Sequence, residues 1–227
     1  MSGMELYIVF LGVPLVIGLA VQGWLRKTFA TNSRRPVSTG KAGFEVAREI
    51  LDRNGLQHVP VERSKAGPLS DHYDPRKRAV YLSEPVYAGR SIAASAVAAH
   101  EVGHAIQHAT SYAPLAARSA IWPVASFGSQ AWFFILLAGL VFSQFSVLIP
   151  LALLLFAGVV VFQLVTLPVE FNASRRAATQ LQDLSLVGTQ EVAAVRQTLN
   201  AAAMTYVAGA LASIAQLAYF LLVFGRR

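Results

Sequence analysis

Three histidines and a glutamate lie at helical spacing in the segment AAHEVGHAIQH, residues 98–108. His100, Glu101 and His104 form the pattern H-E-x-x-H, which is typical of helices that hold a catalytic zinc ion. On a helix, His100 and His104 stand one turn apart on one face, so both imidazoles can reach one metal ion. Glu101 points about 100° away from His100, where it can accept a proton from an attacking water. The pattern therefore predicts zinc-dependent hydrolysis with Glu101 as the base.

This motif supplies two metal ligands, whereas a catalytic zinc normally takes three from the protein. His108 lies about 12 Å along the helix axis from His100, which excludes it from the same ion. Gln107 and Thr110 occupy the positions where the longer metzincin motif requires glycine and histidine, so that class is excluded. The third ligand must come from another part of the chain. The candidates are Asp71, His72 and Asp74 in DHYDP, and Glu170 in LPVEFNASRRA.

The composition indicates a membrane protein. Of the 227 residues, 55% are hydrophobic and only 14% are charged, against roughly 25% charged in soluble domains. Fourteen of the nineteen Lys and Arg residues, with eight acids, lie between Arg26 and Arg118. Without interleaved aromatic residues, this basic excess indicates a membrane-facing segment rather than a nucleic-acid site. The absence of cysteine excludes disulfides and thiolate chemistry.

The first and last spans are charge-free stretches long enough to cross about 30 Å of hydrocarbon. Residues 6–25 form the first; no basic residue precedes it and Arg26-Lys27 closes it, so we expect an uncleaved anchor rather than a signal peptide. Residues 204–224 form the fourth span, which ends before Arg226-Arg227.

The second and third spans lie in a run of 51 residues, Ser119 to Val169, that contains no Asp, Glu, Lys or Arg. One straight helix of that length would measure roughly 77 Å, far more than one bilayer. The run therefore predicts two helices, 121–142 and 147–168, with a turn at the polar SQFS, residues 143–146.

Two polar segments remain. Residues 26–118 begin with a polar linker and a predicted helix over Gly43–Arg53, and continue into the metal helix at about 91–110, where Ser91 is the expected N-cap. The stretches LQHVPVERS and RAVYLS predict two strands, joined by the turn-rich loop GPLSDHYDPRKR. Residues 170–200 predict a helix, a turn at Gly188 and a second helix. We expect both segments to form one compact domain on a base of four membrane helices.

DHYDP, AVYLS, SIAASAVAAHEVGHAIQH and LPVEFNASRRA, interleaved with membrane spans, together resemble the YugP-type bacterial membrane zinc metallopeptidases. The resemblance covers nearly the whole chain. More distantly, the chain is similar to gluzincin membrane proteases of the HtpX and CAAX-processing kind, which pair H-E-x-x-H with a downstream glutamate. The resemblance implies a mainly α membrane protein with four transmembrane helices and a gluzincin-like zinc-peptidase domain, built from a small edge sheet and the H-E-x-x-H helix.

The resemblance also implies site residues: His100, His104 and Glu170 as ligands of one zinc ion per chain, and Glu101 as base. The distant relatives place an aspartate four residues after the ligand glutamate, where it orients a ligand histidine. This chain has Ser174 there, so that role is expected of Asn172 or of an acid in DHYDP. The oxyanion-stabilising group stays open among four candidates, which are Tyr73, Tyr87, Tyr112 and Arg175.

Topology also favours Glu170 over the acids of DHYDP. Two crossings between Ser119 and Val169 return the chain to the face where the histidines lie, and Glu170 is the first charge after them. A carboxylate just past Pro168, expected at the start of a new helix and near hydrocarbon, is costly unless a cation neutralises it. DHYDP, by contrast, is a turn in which aspartate has a backbone role.

The predicted function is hydrolysis of peptide bonds in membrane or membrane-proximal proteins by an integral zinc endopeptidase, with RAVYLS as an edge strand for the substrate. The alternatives are a scaffold with a structural zinc and, more weakly, a metal transporter. The partners are the lipid bilayer and polypeptides, not nucleic acid. The predicted location is multi-pass in a bacterial inner membrane, with residues 26–118 cytoplasmic, because basic residues follow the first span and none precedes it.

Overall fold

The computed structural model describes residues 3–67 and 69–224, and the chain forms two compact units. The apolar unit comprises Met1–Gln22, Ala116–Pro168 and Met204–Arg227, and the polar unit comprises Gly23–Leu115 and Val169–Ala203. In chain order the elements are α1 Gly3–Tyr7, α2 Val13–Ser33, α3 Gly43–Arg53, β1 Val61–Arg63, β2 His72–Asp74, β3 Ala79–Leu82, α4 Glu84–Tyr87, α5 Ile92–Ala109, α6 Ala113–Val141, α7 Leu148–Asp183 and α8 Val192–Phe224. The Arg226-Arg227 pair expected to close the fourth span lies outside the described residues.

Four helices in the described part of the chain are long and apolar enough to cross a membrane, as the sequence predicted. They are Met4–Ser33, which joins α1 to α2 through a π-helical turn, then α6, α7 and α8. Large apolar side chains such as Phe134 and Leu154 remain about 70% exposed on these helices, as side chains that face lipid would. Which residues of each helix cross the hydrocarbon stays a prediction.

The connection between α6 and α7 lies where the polar SQFS stretch predicted it. Helix α6 ends at Val141, a single 3₁₀ turn occupies Ser143–Phe145, and α7 begins at Leu148. In the apolar unit the two helices approach closely at Gly128, where an added Cβ would lie 3.2 Å from the carbonyl oxygen of Leu155. The hairpin therefore combines this close backbone packing with aromatic contacts such as that between Trp132 and Phe156, whose ring centroids lie 4.5 Å apart.

Two of the long helices extend further into polar sequence than predicted. The expected linker after residue 25 is helical through Ser33, because Asn32 is buried and donates to Thr198 Oγ1 (2.9 Å) and to the Ala194 carbonyl (3.3 Å). Helix α7 continues through Pro168 to Asp183, so the prediction that Glu170 begins a new helix is wrong. Proline removes one backbone donor, but a neighbouring helix can satisfy the freed carbonyls and keep the helix intact.

A three-stranded sheet lies in the polar unit, with strand order β1-β3-β2. Strand β1 pairs with β3 in parallel, and β2 pairs with β3 antiparallel, with Tyr73 opposite Val80. The expectation that RAVYLS is an edge strand is therefore wrong, because β3 is central. The segment GPLSDHYDPRKR, predicted to be a loop, contains the missing strand, because its HYD residues form β2. Only the residues after HYD form a turn, in which Arg78 has φ 51°.

The core of the polar unit surrounds α5. Ser91 caps this helix as predicted, accepting from the Ala94 amide at 3.2 Å. Helix α3, with the predicted bounds Gly43–Arg53, packs its buried Val46 and Ile50 into the same core. At Gly103, α5 meets the polar half of α7 so closely that an added Cβ would lie 2.7 Å from the Ala173 carbonyl oxygen. This approach brings the two helices that carry the site together.

Candidate metal centre

The two histidines of the motif lie on α5, one turn apart, with ring centroids separated by 4.8 Å and planes at 86°. Glu170 reaches them from α7, although it is 70 residues from His100 in the chain. Its Oε2 lies 3.2 Å from His100 Nε2 and 3.6 Å from His104 Nε2. The fold thus places Glu170, which is distant in sequence, next to the two motif histidines.

The three side chains fit a zinc ion in both chemistry and spacing. One ligand atom from each lies within 4.8 Å of the others, and the set of two imidazole nitrogens and one carboxylate oxygen is a common zinc set. Atoms that bind one zinc at about 2.0–2.1 Å in a tetrahedron lie about 3.3–3.4 Å apart, close to the two distances from Glu170. His100, His104 and Glu170 therefore form a possible metal-binding site.

Electrostatics in the cluster favour a cation. Burial by itself disfavours protonated His104, yet hydrogen bonding with Glu170 and the charge of that carboxylate raise the pKa of His104 overall. Glu170 is only 2% exposed, and a carboxylate so far from water needs positive charge beside it. A divalent metal ion between the three groups would supply that charge.

Each candidate ligand histidine has a partner on its other ring nitrogen. Ser174 Oγ lies 3.2 Å from His100 Nδ1, so Ser174 itself occupies the role for which Asn172 or an acid of DHYDP was expected. His104 Nδ1 lies 3.0 Å from Oε1 of Gln107, a residue whose position in the sequence excluded a metzincin but from which this contact was not predicted. The contact between Gln107 and His104 could have been predicted from the sequence, because residues three apart on a helix are neighbours.

Glu101 is buried beside the cluster but is not one of its three members. Burial raises the pKa of its carboxyl; His100 and His104 act in the opposite direction, and Glu170 and Asp71 add to the rise. A buried carboxyl with a raised pKa is a better proton acceptor than one in water, which suits a general base. A bound divalent cation would oppose the rise.

Asp71, His72 and Asp74, the other candidate ligands, do not join the cluster and bond mainly to backbone groups instead. Asp71 Oδ1 accepts from the Ser83 amide at 2.7 Å, and His72 Nδ1 lies 2.8 Å from the Ser70 carbonyl. Asp74 Oδ1 accepts from two amides of the turn that follows β2. Only the Asp74 contacts match the turn role predicted for DHYDP, because His72–Asp74 form strand β2.

His108 also lies outside the cluster, as its spacing predicted. Its Nδ1 is 2.8 Å from the hydroxyl of Tyr73, so the pair joins β2 to α5 one turn beyond His104. Burial raises the pKa of that Tyr73 hydroxyl, with smaller contributions from Arg78, which lowers it, and Asp74, which raises it. Tyr73, one of the four oxyanion candidates, is therefore attached to the metal helix through its side-chain hydroxyl.

A cavity of about 660 Å³ lies elsewhere in the polar unit. It is lined by Ser64, Lys65, Gly67, Glu84, Pro85, Ala88 and Gly89. None of these residues is a candidate ligand or the candidate base, so this cavity is distinct from the metal centre.

Comparison with known families agrees with this geometry. A family model described as "Putative neutral zinc metallopeptidase" matches residues 7–225, nearly the whole chain. The chain belongs to this zinc metallopeptidase family. A relative of similar sequence, "Putative membrane protease YugP" of Bacillus subtilis (strain 168), is 48% identical over 200 residues, covering 88% of each chain. No solved structure matches this zinc metallopeptidase.

Proposed function

We propose that this zinc metallopeptidase is an integral membrane endopeptidase that hydrolyses peptide bonds of membrane or membrane-proximal proteins. His100, His104 and Glu170 hold the zinc ion, and Glu101 is the general base. The proposal rests on one observation. Glu170 contacts both motif histidines, and the buried carboxyl of Glu101 lies beside them without being part of the cluster.

In this proposal the protein residues move one proton. Zinc, when bound, supplies Lewis-acid polarisation of the scissile carbonyl and of a water molecule. Glu101 accepts a proton from the attacking water as the water oxygen bonds to the carbonyl carbon, and then donates that proton to the leaving amine as the C–N bond breaks. The raised pKa of Glu101 suits both halves of this transfer.

The outer edge of β2 is our proposed site for the substrate backbone, in place of the β3 edge that the sequence suggested. Strand β2 pairs with β3 on one side only in the described sheet, so its other side can add an extended peptide.

Tyr73 lies on this strand and its hydroxyl is bonded to His108 of the metal helix. We propose that the Tyr73 hydroxyl donates a hydrogen bond to the oxyanion. Tyr73→Phe should then lower kcat roughly 100-fold while the zinc content stays unchanged. An unchanged kcat would exclude Tyr73 from the mechanism.

The alternative, a scaffold with a structural zinc, fits less well. Structural sites are usually closed by four protein ligands, whereas the described cluster offers three and leaves a position for substrate. A structural site also has no use for a buried carboxyl at the position of Glu101. These two features favour the enzyme.

We further propose that the protein lies in a bacterial inner membrane with the catalytic residues on the cytoplasmic side, following the positive-inside rule. Since the chain lacks cysteine, single-cysteine variants can test this orientation. Ala66→Cys, in an exposed loop of the polar unit, should react with an impermeant maleimide only after membranes are opened. Gln144→Cys, in the α6–α7 turn, should react in intact cells or spheroplasts; the reverse pattern would invert the topology.

Glu101→Gln tests the proposed function directly. The variant should bind zinc like wild type but lose proteolysis by a factor of about 100 to 10,000 or more, and its membranes should accumulate the substrates when compared by quantitative proteomics. Glu84→Gln is the matched control, because Glu84 forms an exposed ion pair with Arg63 and is not a member of the metal cluster. Substantial proteolysis by Glu101→Gln would show that the mechanism is wrong.

A further inference from the structure

Gln107 is completely buried on α5 and uses both ends of its amide. Its Oε1 lies 3.0 Å from His104 Nδ1, while its Nε2 donates to the Val169 carbonyl at 2.8 Å and to Asn172 Oδ1 at 3.0 Å. A fully buried amide that makes three hydrogen bonds is held in one orientation, because any other orientation leaves buried polar atoms unpaired.

The donor and acceptor roles along this chain of contacts follow from its far end. Arg176 Nε, which can only donate, lies 2.8 Å from Asn172 Oδ1 and identifies that atom as an acceptor. The Val169 carbonyl is also an acceptor, so the nitrogen of the Gln107 amide must face both. The Gln107 oxygen therefore faces His104 and accepts from Nδ1–H.

This assignment places a proton on Nδ1 of His104. When the imidazole is neutral, as a zinc ligand must be, its lone pair is therefore on Nε2, and Nε2 is the atom that faces Glu170. Val169 and Asn172 bond to Gln107, and Arg176 bonds to Asn172. All three lie close to Glu170 on α7. The same amide thus sets the tautomer of one candidate ligand and holds the helix that carries another.

We propose that Gln107 is a positioning residue of the metal centre, which selects the Nδ1–H tautomer of His104 and thereby presents Nε2 to the zinc ion. The inference rests on the proposed role of His104 as a ligand. Groups that orient a ligand histidine typically change metal affinity by roughly 10- to 100-fold when removed. Gln107 would be such a group acting through a neutral amide rather than a carboxylate.

The test compares Gln107→Met, which keeps the side-chain length but has no amide, with wild-type full-length protein in detergent. Zinc affinity, measured by competition with a chromogenic chelator, should fall roughly 10- to 100-fold. In the zinc-loaded wild type, ¹⁵N–¹H spectra of labelled histidine should show a slowly exchanging Nδ1–H for His104, assigned with His104→Ala. That resonance should exchange rapidly or disappear in Gln107→Met.

Two further variants separate positioning from general packing. Gln180→Met is the matched control, because Gln180 Oε1 also accepts across helices, from Asn54 Nδ2 at 2.8 Å, but touches no histidine of the cluster. It should leave zinc affinity and the His104 resonance unchanged. Gln107→Glu keeps an acceptor for Nδ1–H and should retain the His104 resonance, although its second carboxylate oxygen no longer donates to Val169 and Asn172.

The inference is overturned if Gln107→Met binds zinc as tightly as wild type, or if its affinity falls while the His104 Nδ1–H resonance is unchanged. His104→Ala distinguishes this from failure of the proposed function. If His104→Ala keeps stoichiometric zinc, the metal centre itself is wrong; if it loses zinc while Gln107→Met behaves as wild type, only the role of Gln107 is wrong.

Discussion

Helices α5 and α7 contribute to the same centre in opposite ways. Helix α5 places His100, Glu101 and His104 within five consecutive residues of a helix that is buried along most of its length. Helix α7 contributes Glu170 from the middle of 36 residues, most of which are apolar. A motif on one helix can be recognised from its spacing, whereas a single ligand on another helix depends on how the two helices pack.

The contact between the two helices is as specific as the ligands themselves. Gly103 lies between the two histidines and allows the backbone of α7 to approach at Ala173. Gln107 then connects His104 to Val169 of α7, and Ser174 of α7 contacts His100 directly. The site therefore depends on register between α5 and α7, and the following predictions test that dependence.

The largest effect is expected from removing the ligand on α7. Glu170→Ala should abolish stoichiometric zinc binding and proteolysis, because it leaves only the two ligands of α5. Asp71→Ala and His72→Ala should keep their zinc, since both side chains bond to backbone or neighbouring groups away from the cluster. Metal analysis of the purified variants decides the point: zinc retained in Glu170→Ala but lost from either control would reassign the third ligand.

Zinc binding should stabilise the folded protein, and chelation of the metal should remove that stabilisation. A ligand that binds only the folded state stabilises it by about 2.7 kcal/mol when its free concentration is one hundred times Kd. We expect zinc to raise the thermal unfolding temperature of wild type in detergent, and to have little effect on Glu170→Ala. An equal rise in both proteins would mean that zinc stabilises some other site.

A smaller change at the helix contact should also weaken the centre. Gly103→Ala places a Cβ 2.7 Å from a backbone oxygen that cannot rotate away, so α5 and α7 must separate, at a cost of about 1–3 kcal/mol. Unfolding temperature and zinc affinity should both fall. Gly158→Ala is the control, because Gly158 lies in α7 with nothing within 4 Å of an added Cβ; equal effects of the two variants would contradict the close-contact argument.

The smallest effect is expected at Ser174, which contacts His100 with a neutral hydroxyl at 3.2 Å. Ser174→Ala should lower zinc affinity roughly tenfold, at the low end of the range for groups that orient ligand histidines. Ser213→Ala removes a hydroxyl that bonds within α8 and should leave affinity unchanged. Chelator competition measures both, and a loss at Ser174 as large as that from Glu170→Ala would indicate a more direct role.

Local signals predicted several elements well. The alanine-rich stretch after Ser91 became α5, the amphipathic Gly43–Arg53 became α3, and the polar SQFS lies at the α6–α7 connection. Each of these depends on capping, helical spacing or a polar interruption, which act over a few residues. The four long apolar helices were predictable for a similar reason, because span length depends only on local hydropathy.

Other features depended on partners distant in the chain. Pro168 suggested a helix boundary, but α7 continues through it while its Val169 and Ala173 are buried in the polar unit. The HYD residues looked like part of a loop until pairing with β3 made them a strand, which also moved β3 from the edge to the centre of the sheet. Propensity in short segments is weak, so tertiary pairing decides their structure.

Residue types and their local spacing specify the chemistry of this protein: H-E-x-x-H at one helical turn, the absence of thiols, and apolar stretches long enough to span a bilayer. The packing of the helices selects the carboxylate that meets the histidines and assigns the partners of their ring nitrogens. Gln107 and Ser174 are ordinary polar residues in the sequence, and each becomes part of the centre only through a contact 3.0–3.2 Å long. Residue type and local spacing are encoded along the chain, whereas hydrogen bonds between α5 and α7 require the packing that Gly103 permits.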